Sequence, residues 1–259
     1  MHSILSQLNT PERKIWTAED PVEITQKGLR QLQVNTKIGL TFSSAMRAFL
    51  RADPDVIMVG EMRDKETTKT AIEASLTGHL VFSTLHTNTA PESIVRLLDL
   101  GMDPFNFADA LIGILAQRLT KRLCSHCKEI YTAGDEEIHS LLQEYCQELS
   151  FEHHHDSATV QSTIRRQWFN DYTSDGHFYL CRAKGCEKCG GTGYRGRVGI
   201  HELLDASPEI KKAIISHMPA QELTHLAIQE GMQTLKSDGI EKVLQGITDI
   251  SQVRRVCIK

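Results

Sequence analysis

The fold class of this chain is decided by the segment Asp53-Pro54-Asp55-Val56-Ile57-Met58-Val59-Gly60-Glu61. Residues 56–59 are apolar and mostly β-branched, and they lie between Asp55 and Gly60. A continuous apolar run of this length between turn-forming residues is typical of a strand that is buried on both faces of a parallel sheet. We therefore predict a buried strand over residues 56–59.

A helix and a second strand follow this run. Asp64 suits the N-cap of a helix from residue 65 to about residue 77, and Gly78 suits its end. Residues 80–85 then have the composition of another strand. Because a helix of this length can connect two parallel strands, the three elements predict an α/β fold built on a parallel sheet with flanking helices.

A third strand is predicted earlier in the chain, at residues 14–18. It is followed by Glu19 and Asp20, and then by Pro21, which stops a strand. Ligands of open parallel sheets bind outside the carboxyl ends of the strands. We therefore expect one crevice edge to gather six polar side chains: Glu19, Asp20, Glu23, Glu61, His79 and His86.

Helical patterns account for most of the remaining chain. Residues 89–100 predict a helix that Gly101 ends, and Asp103-Pro104 predicts the start of a helix that runs toward Leu119. Three further helices are predicted at residues 209–216, 220–229 and 234–245.

The segment between about residue 124 and residue 189 is mixed and polar, with no sustained apolar period, and it predicts a metal-organised excursion. Two chelating cysteine pairs, Cys124-x-x-Cys127 and Cys186-x-x-Cys189, lie at the two ends of this segment. Each pair can place two thiolates around one tetrahedral Zn²⁺, and four thiolates make a closed, structural site. Free thiols and a redox pair are the alternatives.

Three other cysteines, Cys146, Cys181 and Cys257, have no paired spacing and are predicted to be small buried side chains. The run His153-His154-His155 cannot direct all its rings at one ion in regular structure, and it is predicted to be a solvated loop.

Composition excludes several classes of protein. Hydrophobic residues make up 40% of the 259 residues, which is ordinary for a globular protein. The net charge of −4 gives no sequence-wide attraction to nucleic acid, and it leaves a local basic patch open. The apolar runs are too short to span a bilayer, and the first five residues lack the pattern of a secretory signal. Seven cysteines with two C-x-x-C pairs fit a reducing compartment. We expect a cytoplasmic protein.

Five segments together resemble the ATPases of type II and type IV secretion. Residues 16–23 resemble their Asp box, residues 50–64 their atypical Walker B motif and residues 77–88 their His box. The resemblance continues through residues 193–197 and 238–243, so it covers nearly the whole chain. The most similar branch contains type II secretion protein E and the type IV pilus extension ATPase.

The resemblance implies roles for four residues in ATP hydrolysis. Glu61 would polarise the attacking water, and His86 would sense the γ-phosphate. Glu19 and Asp20 would serve Mg²⁺ and the surroundings of the γ-phosphate, since the residue before Glu61 is Gly60 and not aspartate.

The resemblance also implies residues for nucleotide binding and for contacts between subunits. Arg47 and Arg51 match arginines near the subunit boundary, where a cation can stabilise transition-state charge. Glu23 and His79 are assigned to the same nucleotide and intersubunit region.

The chain contains no G-x-x-x-x-G-K-[ST] segment, the loop that holds ATP phosphates in P-loop enzymes. In the family this loop ends a few residues before the segment that matches residues 1–5. We therefore expect a fragment that lacks the loop and the amino-terminal domains, and that does not hydrolyse ATP alone.

The resemblance implies three parts: a partial RecA-like core over residues 1–120, a tetracysteine zinc arm over residues 121–197, and a helical subdomain over residues 198–259. The expected function is that of a hexameric motor for pseudopilus or pilus assembly, peripheral at the inner membrane and bound to the cytoplasmic domain of an inner-membrane assembly protein. A non-catalytic interaction module and a nucleic-acid translocating ATPase are the alternatives.

Overall fold

The computed structural model describes residues 1–149 and 157–257 of the chain. The predicted loop His153–His155 lies outside these residues. Contacts divide the chain into two compact units, of which the first comprises Met1–Ile112 with Ala206–Leu223 and the second comprises Gly113–Asp205 with Thr224–Lys259. The predicted division into three domains has different limits and stays a prediction.

The described residues form nine strands and eleven α-helices. The strands are β1 Ile15–Glu19, β2 Arg30–Gln33, β3 Val56–Val59, β4 Leu80–Ser83, β5 Gly113–Leu123, β6 Glu129–Thr132, β7 Thr173–Ser174, β8 His177–Arg182 and β9 Tyr194–Asp205. The helices are α1 His2–Leu8, α2 Phe42–Phe49, α3 Lys65–Leu76, α4 Ala90–Asp99, α5 Pro104–Ala110, α6 Asp135–Leu149, α7 Ser157–Tyr172, α8 Pro208–Ile215, α9 Ala220–Gln229, α10 Leu235–Leu244 and α11 Ile250–Cys257.

The first unit is built on a four-stranded parallel sheet in the order β2-β1-β3-β4. All four residues of β3 are buried, as the apolar run predicts. On one face Val56 and Met58 pack with Leu5 of α1. On the other face Ile57 and Val59 pack with residues of α2 and α3. Helices therefore flank the sheet on both faces, which confirms the predicted α/β class.

Local signals set the limits of the connecting helices. The Asp64 side chain accepts a hydrogen bond from the Thr67 N–H at the start of α3, and Thr89 caps α4 in the same way through Glu92. Gly101 follows α4 with a φ of 81°, a conformation that glycine adopts without a steric penalty. These helices agree with the sequence prediction.

The predicted helix toward Leu119 is wrong. It ends at Ala110, and β5 begins at Gly113 and pairs antiparallel with β9. Exposure alternates along the first part of β5, which is the period of a strand and not of a helix. Pairing with a distant strand therefore overrides the local apolar run that suggested a longer helix.

The prediction that residues 124–189 lack an apolar period is also wrong. This segment contains α6 and α7 and the three-stranded sheet β6-β8-β7. Its core in the second unit includes Leu141, Tyr145, Trp168 and Leu180. This segment therefore has a hydrophobic core in addition to its cysteine pairs.

The three predicted carboxyl-terminal helices correspond to α8, α9 and α10, and α11 follows them without having been predicted. Among the described residues no helix combines the length and the apolar character that crossing a membrane requires.

Candidate active site and metal site

Polar side chains lie at the carboxyl edge of the parallel sheet, as the strand pattern predicts. Glu19 is the last residue of β1, while Glu61 and His86 follow β3 and β4. Two hydrogen bonds join the loops that follow β3 and β4. The Met62 N–H donates to the Thr84 carbonyl at 3.1 Å, and the Thr84 hydroxyl donates to the Gly60 carbonyl at 2.5 Å.

Glu61 and His86 lie in direct contact at this edge. Nε2 of His86 is 3.2 Å from Oε2 of Glu61, whose side chain is 13% exposed. The Arg63 guanidinium also donates to Oε2. Within the described part of the chain, the other oxygen, Oε1, has no hydrogen-bond partner. Glu61 is therefore held through one oxygen, and the other remains able to accept a hydrogen bond.

Glu19 is a buried carboxylate at the same edge. Its Oε1 accepts hydrogen bonds from the Thr17 hydroxyl at 2.6 Å and from the Gln31 amide at 2.9 Å. Its Oε2 lies 3.6 Å from Nε2 of His2 on α1. Burial of a carboxylate is costly unless polar groups replace its water, and these three side chains do so.

The next two acidic residues are exposed. Asp20 and Glu23 follow β1, and a cis peptide bond joins Asp20 to Pro21. Both residues are exposed, whereas Glu19, which precedes Asp20 in the chain, is buried. An acidic surface of this kind suits a hydrated Mg²⁺ ion, which usually keeps several waters.

Arg47 and Arg51 lie on or just after α2, and both are exposed. Arg47 forms an ion pair with Glu66 of α3. Its hydrogen bond holds the pKa of Glu66 below the ordinary value of a glutamate. Exposed pairs of this type are weak, typically about 0–1 kcal/mol, so Arg47 can exchange this partner for another anion.

The structure does not bring His79 to this edge. His79 precedes β4, so it lies at the amino edge of the sheet, opposite the residues that follow strands. Its Nδ1 lies 2.9 Å from the Ala74 carbonyl and 3.2 Å from the Thr77 hydroxyl, at the end of α3. The described contacts of the His79 ring are thus with residues at the carboxyl end of α3.

The four paired cysteines converge in the second unit. All four sulfur atoms lie within 4.8 Å of one another. The Sγ distances are 4.0 Å for Cys124 to Cys186, 3.8 Å for Cys127 to Cys189 and 3.7 Å for Cys186 to Cys189. Tetrahedral zinc with Zn–S bonds of about 2.3 Å requires S···S distances of about 3.8 Å. The arrangement can therefore hold a metal ion of this size.

The backbone around the second pair favours thiolates. Burial raises the pKa of the Cys189 thiol, but hydrogen bonds from the N–H groups of Cys186 and Gly193 outweigh it and lower the pKa to about 6. At Cys127, by contrast, burial raises the pKa to about 12.

Glycines make the tight turn at these cysteines possible. Gly185 has a φ of 108°, and a Cβ atom there would lie 2.5 Å from the Gly191 carbonyl oxygen. A Cβ on Gly193 would lie 2.5 Å from the Cβ of Ala183.

Comparison with known proteins decides the family. The model of the family described as type II/IV secretion system protein matches residues 1–255. The chain belongs to the type II/IV secretion system protein family.

Members of this family that resemble the chain are named as ATPases. The type IV pilus assembly ATPase PilB of Thermus thermophilus is 47% identical over 251 residues, which cover 97% of this chain and 25% of that protein. The type II secretion system ATPase E of Vibrio cholerae is 43% identical over 256 residues, which cover 99% of this chain and 45% of that protein. The chain thus spans less than half the length of these two relatives.

A solved structure shows the same fold in a pilus motor. The pilus retraction motor PilT, crystallised with bound ADP, matches all of this chain and 57% of its own chain, with a TM-score of 0.64 and 26% identity. The ATPase DotB of Legionella pneumophila shares the fold, with a TM-score of 0.58 and 23% identity.

In this type II/IV secretion system protein, sequence reasoning missed three polar residues around the acidic edge. Thr17 and Gln31 contact Glu19, and Arg63 contacts Glu61. Thr17 was detectable, because residues two apart in a strand face the same side of the sheet. Gln31 was not detectable, because its contact with Glu19 depends on the pairing of β1 with β2.

Proposed function

We propose that this chain supplies the hydrolytic edge of a motor ATPase that drives type II secretion or type IV pilus assembly. One observation carries the proposal: Glu61, His86 and Glu19 lie at the carboxyl edge of one parallel sheet, and Glu61 keeps one oxygen free. Hydrolysis of a phosphoanhydride requires a group that orients water and carboxylates for Mg²⁺, and the side chains at this edge can serve both purposes.

Each residue has a proposed role. Oε1 of Glu61 accepts a hydrogen bond from the attacking water and so orients it. His86, in contact with the other oxygen of Glu61, senses the γ-phosphate. Glu19 and Asp20 hold Mg²⁺ directly or through its water molecules.

The remaining groups act with a second copy of the chain. We place Arg47 and Arg51 at the boundary of a hexamer, where an arginine can stabilise charge on the transferred phosphoryl group. Glu23 belongs to the nucleotide region at the carboxyl edge in this proposal, whereas His79 is proposed only for contacts between subunits. His79 would act from the amino edge of the sheet.

The 259 residues alone are proposed to be inactive. They contain no G-x-x-x-x-G-K-[ST] segment, so they lack the backbone N–H groups and the lysine that bind phosphate in P-loop enzymes. Hydrolysis then requires these residues together with a phosphate-binding loop.

The cysteine site is proposed to hold one structural Zn²⁺. Four sulfur ligands at tetrahedral spacing leave no coordination position for a substrate. The proposed location is cytoplasmic, at the inner face of the membrane, with the cytoplasmic domain of an inner-membrane assembly protein as partner.

The test compares ATP hydrolysis by residues 1–259 with that by the native protein purified from its own cells. We expect Mg²⁺-dependent phosphate release from the native protein and only background release from residues 1–259. Robust release by residues 1–259 would refute the inactivity of the chain alone. Absence of release from the native protein at every Mg²⁺ concentration would refute the ATPase itself.

A non-catalytic interaction module is the second candidate, and the missing phosphate loop favours it. Under this alternative the native protein binds the inner-membrane partner with the same affinity whether or not nucleotide is present. A motor instead requires that affinity to change with nucleotide.

A further inference from the structure

The Gln31 side chain links three parts of the first unit. Its Nε2 donates to Oε1 of Glu19 and to the Ile24 carbonyl, both at 2.9 Å. Its Oε1 accepts the Gln26 N–H at 2.7 Å. One amide on β2 thus contacts the buried carboxylate and the loop of residues 20–29 that follows it.

These contacts fix the orientation of the Glu19 carboxylate. Gln31 and Thr17 both donate to Oε1, so Oε2 is the oxygen that is left facing His2, at 3.6 Å. Because Glu19 is only 4% exposed, water cannot replace a lost donor without a local rearrangement.

Only an amide side chain of this length can form all three of these hydrogen bonds. Its nitrogen donates two hydrogen bonds while its oxygen accepts one. Glutamate at this position would offer no donor, and it would place a second negative charge beside Glu19. Leucine would fill the space without making any of the three hydrogen bonds.

We propose that Gln31 is a positioning residue that fixes Glu19 and the loop of residues 20–29 as one unit, with Oε1 of Glu19 held by Gln31 and Thr17 and Oε2 facing His2, and that Glu19 serves Mg²⁺ from this fixed position. This inference rests on the proposed function, because Glu19 has this role only in an ATPase.

The first experiment compares Gln31→Leu with Gln33→Leu in the native protein. Gln33 lies on the same strand as the register partner of Glu19, and its Oε1 accepts the Val22 N–H of the same loop at 3.2 Å, but its side chain makes no described hydrogen bond with Glu19. We expect Gln31→Leu to lower kcat about tenfold and to raise the Mg²⁺ concentration for half-maximal rate, while KM for ATP changes little. Gln33→Leu is expected to keep kcat within about twofold. Equal losses in both variants would mean that Gln31 only tethers the loop.

The second experiment is a double-mutant cycle with Glu19→Gln. If Gln31 acts through Glu19, Gln31→Leu lowers kcat no further in the Glu19→Gln background, because the carboxylate it orients is gone. A further loss of the full size would overturn the proposal.

The same cycle can be measured by urea unfolding of residues 1–259, which requires no hydrolysis. Non-additive midpoint shifts are expected, because the two side chains are in contact. Additive shifts would show that the contact is absent. An inactive wild-type protein with non-additive shifts would instead refute the proposed function, and the catalytic role of Gln31 with it, while the contact itself would stand.

Discussion

Glu61 illustrates how two neighbours can orient one carboxylate. Arg63 and His86 both contact Oε2, and the Gly60 and Thr84 hydrogen bonds fix the loops that carry Glu61 and His86. The orientation is therefore set before any ligand binds. Preorganised groups of this kind contribute to catalysis because they need no rearrangement during the reaction.

Glu61→Gln is predicted to lower kcat of the native protein by about 100- to 1000-fold, because an amide is a poor proton acceptor. Nucleotide affinity should stay close to that of the wild type, since the variant keeps the shape of the side chain. Phosphate release and equilibrium nucleotide binding measure the two effects. Glu73→Gln, an exposed change on α3, is the control. A loss in Glu61→Gln no larger than in Glu73→Gln would exclude a role for Glu61.

For single residues, the sequence predicts the location of those that lie at or directly after the end of a parallel strand. Glu19, Glu61 and His86 reach one edge because each follows a parallel strand. His79 was placed there too, but it precedes β4 and so lies at the other edge. Gln31 and Arg63 depend on side-chain directions that no local pattern encodes.

Among the elements of the second unit, three helices meet at Glu144 of α6. It forms ion pairs with Arg254 of α11 and, at 3.4 Å, with Lys236 of α10. Its side chain is only 17% exposed. The hydrogen bond from Arg254 holds the pKa of Glu144 below its ordinary value.

Glu144→Gln is predicted to lower the free energy of unfolding by about 2 kcal/mol at pH 7, as expected for hydrogen bonds to a charged group. Because the folded-state pKa is lowered, this stabilisation is complete above the unfolded-state pKa and is lost as the pH falls through the folded-state value. Urea unfolding of both forms from pH 7 to about pH 2, which extends well below the ordinary pKa of a glutamate, should show the difference shrinking toward acid. Glu136→Gln, an exposed change on α6, should show little effect at any pH. A constant difference across the range would contradict the ion-pair explanation.

The turn at the second cysteine pair offers another test. Gly185→Ala is predicted to weaken zinc binding about tenfold, because its Cβ would collide with the Gly191 carbonyl that shapes the turn. Competition with a coloured chelator measures the affinity. Gly134→Ala is the control, since no atom lies within 4 Å of its added Cβ. Unchanged affinity in Gly185→Ala, or no zinc in the wild type, would contradict the assignment.

Elements with clear terminal signals were predictable, and those that depend on distant partners were not. Asp64 marks the start of α3 and Gly101 follows the end of α4, both as the sequence predicts. The run before Leu119 became β5 because β9 pairs with it along most of its length. The helices α6 and α7 were predictable but were missed. In α6 the residues Ile138, Leu141, Leu142, Tyr145 and Cys146 recur at the spacing of one helix face, and all five are buried.

For the molecule as a whole, the second unit has both a hydrophobic core and a cysteine site. The core cluster around Tyr145 and Trp168 contains none of the four paired cysteines. Loss of metal should therefore open the cysteine turn locally and leave most helices in place, unlike in small zinc domains whose folding depends on the ion.

The order of the parallel sheet has a consequence for how the chain behaves in solution. Among the described residues β4 pairs only with β3, so it is an edge strand. The Leu80 N–H points toward β3 and donates to the Asp55 carbonyl. Because successive N–H groups of a strand point in opposite directions, the Val81 N–H points away from β3. Apolar edge strands are templates for pairing with another chain.

Residues 1–259 are therefore predicted to self-associate through this edge as concentration rises. Val81→Pro should reduce association and leave the fold intact, because proline is tolerated where an edge N–H faces solvent. Leu80→Pro should instead destabilise the sheet by removing an inward hydrogen bond. Sedimentation velocity and urea unfolding separate the two outcomes, and equal association of wild type and Val81→Pro would exclude the edge as the contact. Among the described residues β4 is one of two edge strands of this sheet, with β2 at the other edge. The strand that pairs with β4 therefore decides whether the chain enters an ordered assembly or aggregates.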